Sequence, residues 1–505
     1  MAELDWFQEK LSRLSTDENV LDNLSEVNIA AANLRPNQLS VIASNLSLGS
    51  IFDCVNSSDL DQINAACSAL KLFLSALEPR FVLSQYGVHL MRALNHPEPN
   101  VQLLTIEQLN RSISEVDLLS SNDLEIIKAV INCLGKDLVV AQPCIKFLIT
   151  LSHSPAGLSA LFSPPILRLL ESTMAISSVV QLRVFEVVVG ISTFSAPSLH
   201  ACHASGVFSS LFDTLKNMKD SLARFACLEL LTSLALTYHG LKFLEDEGIL
   251  KYLADQLSAV LGEDDTGLNS LYVPCYIKFF GNVAQLQPEY IFSKYPNIID
   301  KIFEAVDSPD RDTVCKALET VSYIATTTRG KQLLSTYDNK MTITIEQIGS
   351  YLKGMPMEYK VTAMNALANM FKLDITDLTD DLLSITKSWF YKLGEDPMQN
   401  IMSICRQPFV ETRCAGLLVL KSLAILPWGL EEFVRFPGLL EFLLDRSSDT
   451  TMQCKDAKYQ VIKQIIEAPK AKEILPGPMY VRMREYVRQG LVHVPVQMEV
   501  AVDGM

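Results

Sequence analysis

Histidine, tryptophan and closely paired cysteines are scarce in this chain: seven His and three Trp are spread over 505 residues. The one local cluster is His200, Cys202 and His203. Three potential ligands within four residues rarely converge on one metal, and no second Cys/His pair lies nearby to complete four. The cluster therefore reads as a polar loop between helices. The eleven Cys never form C-x-x-C, and their closest pair, Cys405 and Cys414, is nine residues apart. Most fall at apolar helix positions, such as Cys227 and Cys315, where a reduced thiol acts as a small hydrophobe. Neither a zinc framework nor a disulfide framework is expected. Also missing are G-x-x-x-x-G-K-[ST], G-x-S-x-G and H-E-x-x-H, so no phosphate cradle, nucleophile elbow or metalloprotease helix is signalled. The carboxylate pairs Asp264–Asp265 and Asp380–Asp381 suit loops or helix starts, where they favour water or the helix dipole. The expectation is a protein that is not an enzyme and carries no cofactor.

Positive charge is the second deficit. Lys and Arg number 43 against 58 Asp and Glu, a net charge of −15. Such a chain lacks a broad basic surface to neutralise phosphates, which argues against nucleic acid and anionic membrane as partners. Two stretches carry no charge, Phe147–Leu167 and Val187–Phe212, but Pro, Ser and His break both, so neither reads as a membrane span. The opening MAELDWFQEK is charged from its third residue and has no apolar segment typical of a secretory signal. A soluble, cytoplasmic protein with the nucleus also open to it is expected. Gly and Pro together make only 43 residues and form no run longer than three, so no low-complexity linker divides the chain. Hydrophobic residues, at 49%, are ample for a continuous core.

What the sequence does hold is periodicity. In SLARFACLELLTSLA, from Ser221, the apolar residues Ala223, Ala226, Cys227, Leu230, Leu231 and Leu234 mark one face of an α-helix. DTVCKALETVSYIAT, from Asp312, repeats the pattern through Val314, Ala317, Leu318, Val321, Ile324 and Ala325. Aligning similar helices brings Ser75, Arg111, Thr150, Gly190, Ser233, Asn282, Tyr323, Asn369 and Ser422 into one register. Their spacings run from 36 to 53 residues, with the longer intervals near Gly262 and Gly394. Periods of about 40 to 47 residues belong to HEAT and armadillo arrays. A further mark is Gly157, Gly240, Gly330 and Gly429, each four residues before Leu161, Leu244, Leu334 and Phe433. These glycines are expected to supply left-handed helix caps, and Gly248 and Gly438 to restart the chain before another apolar run. The predicted fold is all-α: a HEAT/armadillo-like helical repeat solenoid whose units need neighbours to bury both faces. Residues 1–60 are read as a helical cap, 61–470 as about nine to eleven repeats, and 471–505 as a terminal helix and tail.

The last helix of each repeat is expected to line a concave binding face. On it, Asn282 and Asn369 are candidates to hydrogen-bond a partner's backbone, with Tyr323 in the same register. Arg183, Arg224, Lys278 and Lys360 lie on the same helices and are candidates to meet an acidic patch. Tyr276, Phe279 and Phe280 read as core, with Tyr276 kept as a candidate anchor.

The stretches LTYHGLKFL (Leu236–Leu244), LYVPCYIKFFGNVA (Leu271–Ala284), TDDLLSITKSWF (Thr379–Phe390), QPF (Gln407–Phe409) and KDAKY (Lys455–Tyr459), with the ending around Tyr480–Gly490, occur in this order. In these the chain resembles, over essentially its whole length, the family of 26S proteasome non-ATPase regulatory subunit 5, assembly chaperones of the proteasome regulatory-particle base. The resemblance implies a solenoid that binds the carboxy-terminal domain of a proteasomal AAA ATPase subunit. It also implies an intermediate containing the largest non-ATPase base subunit, occlusion of the 20S core, release before the mature particle, and a monomer when free. The alternative is an armadillo-type adaptor or transport receptor for another protein ligand. Such receptors pair Trp with Asn on successive concave helices, whereas Trp6, Trp389 and Trp428 all lie away from a register Asn.

Overall fold

Polar residues and proline punctuate the chain where the helices begin. The hydroxyl or carboxylate of Ser154, Ser177, Asp220, Thr327, Thr379 or Thr451 accepts a hydrogen bond from a first-turn N–H, satisfying an otherwise orphaned donor. Pro79, Pro164, Pro288, Pro296 and Pro427 stand at helix starts, where the missing N–H costs nothing. The structure, a computed structural model, describes residues 2–15, 19–113, 121–217, 220–260, 269–449 and 451–491. The Asp264–Asp265 pair, the insertion near Gly262 and the tail 492–505 lie outside the described residues. Among the described residues every regular element is helical. No helix there is long and apolar enough to cross a membrane.

Two compact units divide at Phe243/Leu244. In the first, a row of helices stacks in sequence: α1 (Val20–Ala32), α2 (Leu60–Ala76), α3 (Pro99–Ile113), α4 (Leu138–Leu151), α5 (Ser178–Phe194) and α6 (Ser221–Ala235), each packed on the next. In the second, α7 (Asn269–Leu286), α8 (Arg311–Ile324), α9 (Met357–Phe371), α10 (Val410–Ala424) and α11 (Met452–Glu467) stack the same way. Before each of α8 to α11 come two further helices, for example Thr328–Ser335 and Asp338–Gly354 before α9. The first helices of successive repeats pack on one another as a second row. Each repeat is therefore three helices, and the core is the space between the rows. Phe279, Phe280, Leu318, Leu367, Phe371, Leu420 and Leu423 are among the side chains wholly buried there.

Four glycines have a different role from the one their spacing suggested. Gly157, Gly240, Gly330 and Gly429 lie in the first turn of a short helix, and none has positive φ. A Cβ on them would fall 2.0 to 2.3 Å from the carbonyl oxygen of Leu151, Leu234, Ile324 or Leu423, in the last turn of the preceding row helix. Close backbone approach, not a left-handed cap, requires glycine there. In three of the four, a Ser or Thr three residues earlier accepts from the glycine N–H: Ser154, Thr237 and Thr327. The left-handed conformation occurs just past the short helix instead, at Gly206, Gly248 and Gly438, with φ of 70° to 79°.

Cations join neighbouring repeats by donating to the carbonyls that end helices, which favours positive charge. Arg111 donates to the carbonyls of Leu74, Ser75 and Leu77 at 2.9 to 3.1 Å. Arg183 donates to those of Leu134 and Lys136, both at 2.6 Å. Lys331, with no solvent exposure, reaches the carbonyl of Ala325 and, at 2.8 Å, that of Lys372. Burial lowers the Lys331 pKa from 10.5 to about 7, with Lys372 adding repulsion against the attraction of Asp377 and Asp374. The unfolded chain then binds more protons than the folded one above pH 7, so stability should rise with pH. The window closes near pH 9, where the buried thiols of Cys227 and Cys405, raised from 9.0 to about 12, begin to oppose it. Between pH 7 and 9 the urea midpoint should climb for the native protein and stay flatter for Lys331→Met. Equal slopes would show that Lys331 keeps its proton throughout.

Candidate partner-binding groove

One face of the second unit is open along its row helices. Residues three, four and seven apart share a helix face, so each row helix brings a short stripe to it. From α7 come Lys278 and Asn282, and from α8 come Lys316, Glu319 and Tyr323. From α9 come Asn365, Asn369 and, just past its end, Lys372. From α10 come Leu418, Lys421 and Ser422, and from α11 Gln460 and Gln464. Together they line three adjoining hollows of about 240, 410 and 680 Å³. The first and third share Asn369, the first and second share Asn365, and the second and third share Lys421, so the hollows form one continuous groove.

The groove is polar with an apolar strip. Tyr323 is 38% exposed, and Leu418 and Ile375 are also open. Lys316 and Glu319 pair one turn apart on α8. The thiol of Cys414 on the groove wall lies 3.8 Å from that of Cys454 on α11. Burial, reinforced by Cys454, raises the Cys414 thiol to about 11. Burial likewise raises Cys315 on α8 to about 11. Both stay protonated near neutrality and offer no nucleophilic thiolate. What remains is a surface of amides, lysines and apolar side chains, equipped for non-covalent recognition.

The groove gathers four of the expected contact residues: Lys278, Asn282, Tyr323 and Asn369. The other four lie elsewhere. Arg224, 2% exposed, and Tyr276, 1% exposed, are inside the packing. Arg183 is engaged with the carbonyls that follow the helix Ser121–Cys133. Lys360 lines none of the three hollows. Asn365, Lys372, Lys421 and Gln464 were missed by sequence reasoning, although Asn365 lies one turn from Asn369 and could have been found by stepping back four residues.

The His200–Cys202–His203 cluster lies within the helix Ala196–Ala204, not in a loop between helices, and its side chains do not converge. Cys202 is buried and donates to the Val188 carbonyl, His203 packs edge-on to Phe243, and His200 is exposed. Among the described residues no three His, Cys, Asp or Glu side chains are grouped to hold a metal. All eleven Cys are free thiols. Asp380 and Asp381 occupy the first turn of the helix Asp380–Tyr391.

Stacked helical repeats with an open polar face define an all-α solenoid of the HEAT/armadillo kind. Yeast importin-beta (Kap95p) shares this fold, with a TM-score of 0.59 at 12% identity over 96% of this chain and 61% of that one. The chain belongs to the proteasome non-ATPase 26S subunit family, whose model matches residues 3–505. The human 26S proteasome non-ATPase regulatory subunit 5 is 35% identical over 473 residues, 93% of each chain. The bovine protein of the same description is 34% identical over 499 residues, 98% of each.

Proposed function

We propose that this protein is a non-catalytic chaperone for assembly of the proteasome regulatory-particle base. It binds the carboxy-terminal domain of a proteasomal AAA ATPase subunit and, by its bulk, keeps that domain from docking early on the 20S core. The intermediate it accompanies includes the largest non-ATPase base subunit, and the free protein is a cytoplasmic or nuclear monomer. The observation that carries this reading is the groove along α7 to α11, where half-buried and exposed amides and lysines face outward from a row of packed helices in a chain of this family. Rigid elements hold such groups in position, so little ordering is needed when a folded domain binds.

The test is to mix the full-length protein with the isolated carboxy-terminal domains of the proteasomal ATPases, and separately with a basic localisation peptide, and follow co-elution. Selective capture of one ATPase domain supports the reading. Capture of the peptide alone replaces it with the transport-receptor alternative. Lys278→Glu should weaken capture about tenfold, a loss of about 1.4 kcal/mol, without lowering the melting temperature. Unchanged affinity would remove Lys278 from the contact surface.

A further inference from the structure

Three of the groove's amides offer unused donors and acceptors. Among the described residues the side chains of Asn282, Asn365 and Asn369 make no hydrogen bond within the chain, although all three line the same hollow. Polar side chains in such positions commonly bond to their own helix, as Asn110 does to the Ile106 carbonyl at 3.1 Å. A primary amide both donates and accepts, which suits the alternating N–H and C=O of a main chain.

Spacing adds a second argument. Packed helices lie about 8–10 Å apart. An extended chain of the polyproline type has no internal hydrogen bonds and repeats every three residues, about 9 Å. Such a segment presents equivalent main-chain groups to successive row helices, so α7 to α10 would span about nine residues of it.

Charge selects its chemistry. The chain carries −15 overall, yet the groove over α7 to α10 is lined by Lys278, Lys316, Lys372 and Lys421 against Glu319, Asp374 and Glu411. Glu319 is already paired with Lys316. Lys372, just past the end of α9, and Lys421 on α10 have no ion-pair partner among the described residues, and they stand at one end of the amide series.

We propose that the α7–α10 groove binds an extended acidic polypeptide segment, with Asn282, Asn365 and Asn369 holding its main chain and Lys372 and Lys421 its carboxylates. The inference rests on the groove alone and not on which protein supplies the segment, so it stands or falls separately from capture of an ATPase domain.

The experiment is fluorescence anisotropy with the full-length protein and three labelled twelve-residue peptides. One is composed of Glu, Ser and Gly, the second is the same peptide N-methylated on alternate residues, and the third replaces Glu by Lys. The acidic peptide should bind at least about tenfold more tightly than the basic one, and N-methylation, which keeps the charge and removes main-chain donors, should cost about tenfold. Lys372→Glu with Lys421→Glu should abolish the preference for acid. Asn282→Ala with Asn369→Ala should weaken binding about tenfold at an unchanged melting temperature. Equal binding of the acidic and basic peptides would overturn the charge assignment. Equal binding of the N-methylated and parent peptides would overturn main-chain recognition, and it does so even if the asparagine variants fold poorly.

Discussion

Replacing Asp449 with alanine should destabilise the second unit by roughly 3–5 kcal/mol, the usual cost of leaving a buried charge without its partner. Asp449 is 3% exposed and sits between two cations from successive row helices. Arg413 of α10 donates to its Oδ1 at 2.8 Å, and Lys458 of α11, 1% exposed, pairs with its Oδ2. The cations are further held by the Ser448 carbonyl, which accepts from Arg413 at 2.9 Å, and by the Asp445 carbonyl, which accepts from Lys458 at 3.0 Å. Lys458 also lies 4.4 Å from the centre of the Phe442 ring. Removing the carboxylate keeps both cations in place and takes away the charge that balances them. Removing Lys458 as well, as Lys458→Met in the same background, should restore part of the loss because a long apolar side chain can fill its site. Urea denaturation followed by circular dichroism reads both variants. A loss below about 1 kcal/mol for Asp449→Ala, the range of exposed pairs, would mean that water reaches this site.

The second large effect is expected at Gly157. Its Cβ would lie 2.0 Å from the Leu151 carbonyl oxygen and 2.9 Å from Ser154 Oγ. Backbone cannot yield as a flexible side chain does, so the helix Pro155–Leu161 must lift away from α4, at a cost of roughly 3 kcal/mol. Gly87 is the control in the same unit. It lies within the helix Pro79–Leu94, and a Cβ there would meet nothing within 4 Å. Gly87→Ala should therefore stabilise by about 0.5–1 kcal/mol through helix propensity and the unfolded chain. Opposite signs for the two glycine-to-alanine changes are the expected result. A neutral Gly157→Ala would show that the two helices are not held at this distance.

The nine residues aligned from sequence periodicity, Ser75 to Ser422, all fall on consecutive row helices, α2 to α10. Apolar spacing identifies the row because each such helix is packed along its length, and the fold class was legible for that reason. The helices α1 and α11 escaped. In α11 the buried stripe includes Lys458, and in α1 it includes Asn23. The glycine signal was legible as a mark of the repeat but not in its cause. A missing Cβ can serve either a positive φ or a close approach, and the sequence around it does not separate them.

The groove was half legible. Periodicity places a residue on a row helix, but a polar side chain there can face the groove or tie one helix to the next. Arg183 and Arg224 look like Lys278 in sequence, yet Arg183 is spent on carbonyls and Arg224 is buried. The distinction depends on where the neighbouring helix ends, which lies about one repeat away in the chain and leaves no local trace.

The cation-to-carbonyl ties decide where this protein can be shortened. A cut through the loop after Ile425 would remove the Asp449 carboxylate and Ser448 carbonyl that hold Arg413, leaving its guanidinium only the Gln407 carbonyl. Ending after Phe371 would likewise deprive Lys331 of the Lys372 oxygen. Fragments that fold must therefore be chosen so that both halves of each tie stay or leave together, and helix boundaries alone are a poor guide to them.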